Sequence, residues 1–275
     1  MDGEPEMGAA AGSWRRRWRN LRQNPIYLRE KGAYGNPNPF YDYLRRYSPL
    51  VVLGALLLGI CAGYVNPAFL LGDERFFLLW CLICLPNVAL TCLTWIGVVM
   101  APALTAPTIS LELSRGTWDI LRLTPQSATT IILAKMLGAL SRLPIWRVMA
   151  VLSILQAAVL FCGMALLQVG PLGFLFALSI VLRPWSEILF AGVLGMACSG
   201  WLRSATLALA AAYGGVLLLK VVNGFFLWLS LGLLLEMESS SLASTVVLGP
   251  VLLYVALAVS LFSLLIRHAD KIAYN

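Results

Sequence analysis

Few residues in this 275-residue chain are of types that do chemistry, and their spacing narrows what they can do. There is a single histidine, His268, so neither a two-histidine metal pair nor a Ser-His-Asp set is easily assembled. No G-x-x-x-x-G-K-[ST] run occurs, so the chain has no loop of its own to cradle a nucleotide phosphate. Work driven by ATP would have to be done on another polypeptide. Cys81 and Cys84 have the spacing of a redox or metal pair, but no second pair or histidine accompanies them. All six cysteines (Cys61, Cys81, Cys84, Cys92, Cys162 and Cys198) lie in apolar runs, where a thiol packs as a small hydrophobe. No metal, cofactor or catalytic set is expected. A membrane enzyme is the poorest fit, because no paired carboxylates or nucleophile and base share one depth.

Two charges stand inside otherwise apolar stretches, Glu187 and Lys220. A charge at membrane depth costs about 2.5–3.5 kcal/mol on insertion scales, so each needs a reason to be there. If the helices carrying them form a hairpin turning near Arg203-Ser204, each lies 16 residues from the turn. At 1.5 Å per residue both reach roughly 24 Å above it. The pattern predicts that they are neighbours in the outer half of the membrane. An ion pair locking the hairpin and a substrate or proton pathway are the two readings, and the first is favoured because one pair does not make a relay. Asn87, Thr91 and Thr94, after Pro86, predict a polar stripe that faces the bundle interior. Gly59-x-x-x-Gly63 permits close helix approach, within the chain or between two copies.

The elements that must position these residues follow from composition. The chain is 60% hydrophobic and 12% charged, about half the charge of an ordinary soluble domain. Apolar runs fall near 49–65, 76–101, 144–167, 185–202, 205–234 and 245–266, each able to cross a bilayer as a helix. The expected fold is all-α, a polytopic bundle of six transmembrane helices. Segment 171–183 is also apolar but is interrupted by Arg183-Pro184; it either extends the fourth span or forms a re-entrant piece. With the N-terminus inside, seventeen of the twenty Lys and Arg residues fall on the inner side. The bias places both termini in the cytoplasm. The expected location is the plasma (inner) membrane.

Residues 1–48 form a separate basic segment carrying nine of the twenty cations. Trp14, Trp18 and Leu21 interleave with Arg15, Arg16, Arg17, Arg19 and Arg22 at helical spacing. That predicts an amphipathic interfacial helix on anionic lipid, not a nucleic-acid contact. A disordered basic tail is the alternative for residues 1–20. No 15-residue apolar core precedes the arginines, which argues against a cleaved signal peptide of the usual form. Residues 49–275 form the membrane domain.

Its informative loop is 103–142. Gly116 can end one helix in the left-handed conformation, Thr117 can cap the next, and Asp119 suits its positive first turn. Thr124-Pro125 stops that helix and offers a cap, with proline first, to the helix after it. The prediction is a short helix, Trp118 to Leu123, bounded at both ends. Its apolar residues Trp118, Ile120, Leu121 and Leu123 are too many for a solvated loop, so it should dock on something.

The run Glu112-x-x-Arg115-Gly116-Thr117-x-x-x-Leu121-x-x-Thr124-Pro125, then Ile131-x-x-x-Lys135-x-x-Gly138, resembles the cytoplasmic loop of ABC transporter permeases of the type-2 exporter class. The sequence departs from that pattern at Ala134, where glycine is usual, and at Ser114, where a second acidic residue is common. The Asn24-Pro25 segment, the six spans and the small-residue run Gly195 to Gly200 before Arg203 also look like the class. The resemblance implies a membrane subunit that dimerises with an identical or different permease and binds a separate ABC ATPase. Trp118 to Leu123 would be the coupling helix, and the N-terminal stretch the elbow helix. Glu112, Arg115 and Arg122 would make charged contacts across the interface, or else form a solvated face. A structural membrane anchor and an ion-driven secondary transporter are the competing readings. The second would need more intramembrane ionisable groups or broken helices than are present.

Overall fold

The computed structural model describes residues 19–32, 46–47, 50, 53–54, 74–166, 171–202, 204–236 and 240–271. Among them the regular structure is all helical: α1 (Pro25–Lys31), α2 (Glu74–Ser114), α3 (Thr117–Arg122), α4 (Ala128–Leu140), α5 (Ile145–Leu166), α6 (Pro171–Trp201), α7 (Ala205–Glu236) and α8 (Ser240–Lys271). The run 49–65 with Gly59 and Gly63, and the Trp14 and Trp18 face of the basic segment, lie outside the described residues.

Among the described residues five stretches are long and apolar enough to cross a membrane: Pro86–Ser114, Ile145–Cys162, Gly173–Trp201, Ala205–Gly224 and Leu248–Ala269. The described chain thus has the character of a multi-pass membrane protein. Outward-facing Val151, Ile154, Leu218, Leu252 and Val259 are all more than half exposed, as side chains meant for lipid would be.

One boundary differs from the sequence expectation. The helix predicted to stop near residue 101 runs on to Ser114, and its 41 residues span about 60 Å, twice the hydrocarbon thickness. Pro102 and Pro107 lie inside this helix without ending it, in a stretch packed against α6. Thr105 donates its hydroxyl to Ala101 O at 2.9 Å, and Ser199 Oγ of α6 accepts from Ile109 N and Ser110 N at 3.1 and 2.8 Å. Of the two readings left open for segment 171–183, the structure has the extension: it is the first part of α6, which continues through Pro184. Ser186 donates to Arg183 O at 2.9 Å and Arg183 Nε to Glu187 Oε1 at 3.0 Å, so one turn is tied across the proline. Proline inside a membrane helix is tolerated where neighbouring helices and hydroxyl side chains support the backbone.

Helix α6 is the central member, packed chiefly on α2 and α8. Small residues allow the approach. A Cβ added at Gly195 would lie 2.9 Å from Pro102 Cα, and one at Gly97 would lie 2.8 Å from Ile145 Cδ1. Backbones this close gain dispersion contact that lipid cannot replace. The α5–α6 seam adds a Trp146–Trp185 stack at 5.4 Å, with Trp185 Nε1 donating to Ser153 Oγ at 3.1 Å.

Candidate functional site

Two places gather the residues singled out by type and spacing: the α2–α4 end of the bundle, and a cavity between α2, α6 and α7.

At the α2–α4 end, Gly116 adopts φ +68°, the left-handed conformation that lets α2 stop and the chain turn into α3. Thr117 does not cap α3 with its side chain. Its hydroxyl turns back to Glu112 O at 3.4 Å, tying the new helix to the old one. Thr124 donates to Leu121 O at 2.6 Å and closes α3, while the cap of α4 is Ser127, whose Oγ accepts from Thr130 N. Thr124-Pro125 is therefore a stop, and the start of the next helix lies three residues later. Serine wins that position because its oxygen reaches the otherwise unpaired first-turn N–H.

Within α3 the apolar residues divide. Trp118 is buried in the main core and Leu121 packs against it. Ile120 and Leu123 point away and are 66% and 86% exposed. Arg115 is exposed at the turn before them, and Pro125 is exposed just beyond.

Glu112 departs from the expectation. Grouped with Arg115 and Arg122 as a charge available to a partner, it is instead buried, with its Oε1 2.7 Å from Lys135 Nζ. The same ammonium lies 3.1 Å from Glu30 Oε1 and donates to Thr108 O at 3.4 Å. Lys135 is 1% exposed, and these three acceptors match its three N–H donors. One side chain of α4 thereby joins α1 to α2. The α1–α4 contact is close as well: a Cβ at Gly138 would meet Glu30 Cβ at 2.7 Å and Tyr27 O at 3.1 Å. Asn24 serves both sides of this contact. Its Oδ1 accepts from Ile26 N at 2.9 Å to cap α1, and its Nδ2 donates to Gln126 Oε1 at 3.0 Å. Arg142 donates from a terminal nitrogen to Arg29 O at 3.1 Å at the far end.

The second place is a cavity of about 520 Å³. The structure brings Glu187 and Lys220 together in its wall, Oε2 to Nζ 2.9 Å. A third charge, not connected with them in the sequence reading, completes the group: Arg183 Nε lies 3.0 Å from the other Glu187 oxygen. Lys220 Nζ also sits 3.8 Å from the centroid of the Trp95 ring, over its electron-rich face. Asn87, Thr91 and Thr94 line the same cavity. Of this stripe only Thr94 is buried; Asn87 and Thr91 are exposed toward the cavity, and Asn87 Oδ1 accepts from Gln156 Nε2 at 3.3 Å. The signal that could have flagged Arg183 is its i,i+4 spacing to Glu187.

His268 takes no part in either place and stacks edge-on against Trp201 at 6.4 Å. Among the described residues no three His, Cys, Asp or Glu side chains converge as a metal set. No family model, curated protein or solved structure matches this chain.

Proposed function

We propose that this protein is the membrane subunit of an ATP-driven exporter, a permease of the type-2 ABC class. It would work as a dimer with an identical or related permease and take its energy from a separate ATPase. In this reading the chain crosses the plasma membrane six times, with both ends in the cytoplasm and the basic N-terminal segment on anionic lipid.

The observation that carries the reading is the division of α3. One side is seated in the core by Trp118, while Ile120 and Leu123 stand exposed beside Arg115 on the most basic connection between spans. Two large apolar side chains held out on a short, clamped helix form a socket-filling surface, and an ATPase groove is the occupant that the loop motif implies. A flexible loop would absorb a push on those residues. Here a push passes through Trp118 to the core, and through α4 and Lys135 to both α1 and α2.

The test is purification of the full chain from its native membrane, with ATP hydrolysis measured in the eluate. The wild type should retain a nucleotide-hydrolysing chain, and the I120D/L123D double variant should lose it at unchanged thermal stability, because both side chains are exposed. No hydrolysing companion on the wild type, or full retention by the double variant, would overturn the proposal.

A further inference from the structure

The cavity between α2, α6 and α7 has a charge excess that the helix packing does not need. Its three charged side chains all belong to stretches able to cross a membrane. Glu187 offers two carboxylate oxygens, and each is taken by a different cation, Arg183 at 3.0 Å and Lys220 at 2.9 Å. One carboxylate cannot neutralise two cations, so the group carries a net charge of one positive unit. A structural ion pair would be complete with Glu187 and Lys220 alone. The guanidinium contributes only its Nε to Glu187, and its terminal nitrogens have no partner among the described residues. Arg183 keeps 34% of its side chain exposed, while Glu187 keeps 6%. The unneutralised charge is thus the one that faces the cavity.

The rest of the wall is of two kinds. Asn87 and Thr91 supply hydrogen-bonding groups beside the cations, and Ile180, Leu217 and Val221 are apolar. Leu217 and Val221 are 61% and 65% exposed, so the apolar side of the cavity continues onto the lipid-facing surface of α7. A volume of about 520 Å³ lies in the range of small-molecule sites.

We propose that this cavity binds an amphiphile with one negative charge on its head, a phosphodiester or carboxylate, and an apolar tail that leaves past Leu217 and Val221. The anionic group sits between the free end of Arg183 and the Lys220 ammonium. Glu187 holds both cations in place and competes with the ligand for them. Binding requires only the cavity; transport of the same class of molecule rests on the permease reading.

Purified full-length chain in a neutral maltoside detergent is titrated with dihexanoyl phosphatidylglycerol, dihexanoyl phosphatidylcholine and inorganic phosphate. Phosphatidylglycerol should bind saturably, and about tenfold more tightly than the zwitterion of equal chain length, the difference of one charge-assisted contact. Arg183→Gln should weaken it by a similar factor. Glu187→Gln should tighten it, because the competing carboxylate is gone; a purely structural cluster would instead lose affinity in both variants. Equal binding of the two lipids, or weakening by Glu187→Gln in protein of wild-type melting temperature, overturns the proposal. Inorganic phosphate binding as tightly as the lipid overturns its amphiphile part and leaves a free-anion site. The wild-type comparison of the two lipids decides the matter even if a variant fails to fold. ATPase association plays no part in this measurement, so it can succeed where the permease reading fails, and fail where that reading stands.

Discussion

Removing the Lys135 ammonium is the sharpest perturbation available at the α1–α4 clamp. Lys135→Met keeps most of the stem volume and deletes the charge. The two carboxylates it serves, Glu30 Oε1 at 3.1 Å and Glu112 Oε1 at 2.7 Å, are then left facing each other without a cation. Glu112 has only 8% of its side chain exposed, so bulk water replaces the lysine poorly there. Glu30, at 17%, can hydrate partly, and its share of the loss is smaller. Breaking a buried pair by removing one partner costs about 3–5 kcal/mol. For a domain of this size that corresponds to roughly 10 °C of melting temperature. The assay is thermal unfolding of the full chain in detergent, followed by intrinsic tryptophan fluorescence. The cause is separated from simple cavity formation by the triple variant K135M/E30Q/E112Q, which removes all three charges. It should recover more than half of the loss, because no bare carboxylate remains. A single-variant shift below about 2 °C, or a triple variant as unstable as the sum of its parts, would refute the reasoning.

Two further predictions concern backbone fit. Gly138→Val places a side chain against Glu30 Cβ and Tyr27 O, so α1 must lift from α4; the expected cost is about 1–3 kcal/mol, read as a lower melting temperature. Faster amide exchange along α1 in that variant would confirm the lift, and unchanged melting would count against the contact. Gly116→Ala meets no neighbour, yet it forces an L side chain into φ +68°, at a cost of about 1 kcal/mol. Because α3 hangs on that turn, the permease proposal expects co-purifying ATP hydrolysis to fall more than stability does, and loss of both in proportion would argue that the turn is only structural.

Much of the scaffold was legible in the residues. Long apolar runs, the helix-ending glycine at 116 and the equal distances of Glu187 and Lys220 from one turn are local or nearly local signals, and local signals survive folding. The clamp was not legible, because its partners are 105 residues apart and a lone Lys135 on a short helix reads as an ordinary surface cation. Glu112 was misplaced for the same reason: its position within a predicted loop said nothing of the cation waiting on α4. The second apolar run was ended near residue 101, where hydropathy falls. The helix runs on to Ser114 packed against α6, and tertiary contact of that kind leaves no mark in hydropathy. Arg183 was counted as a flank of a broken segment, although within a continuous α6 it sits one turn from Glu187.

The lysine clamp also sets a schedule for biogenesis. Glu30 leaves the ribosome long before its partner, and at roughly 5–20 residues per second the intervening 105 residues take about 5–20 s to follow. Throughout that interval the nascent N-terminal helix has no ammonium to hold it, and Glu112 emerges ahead of the lysine that covers it. Closure of this contact therefore waits until about half of the chain has been made, and chains stalled before residue 135 would reach the membrane with two naked carboxylates for quality control to see.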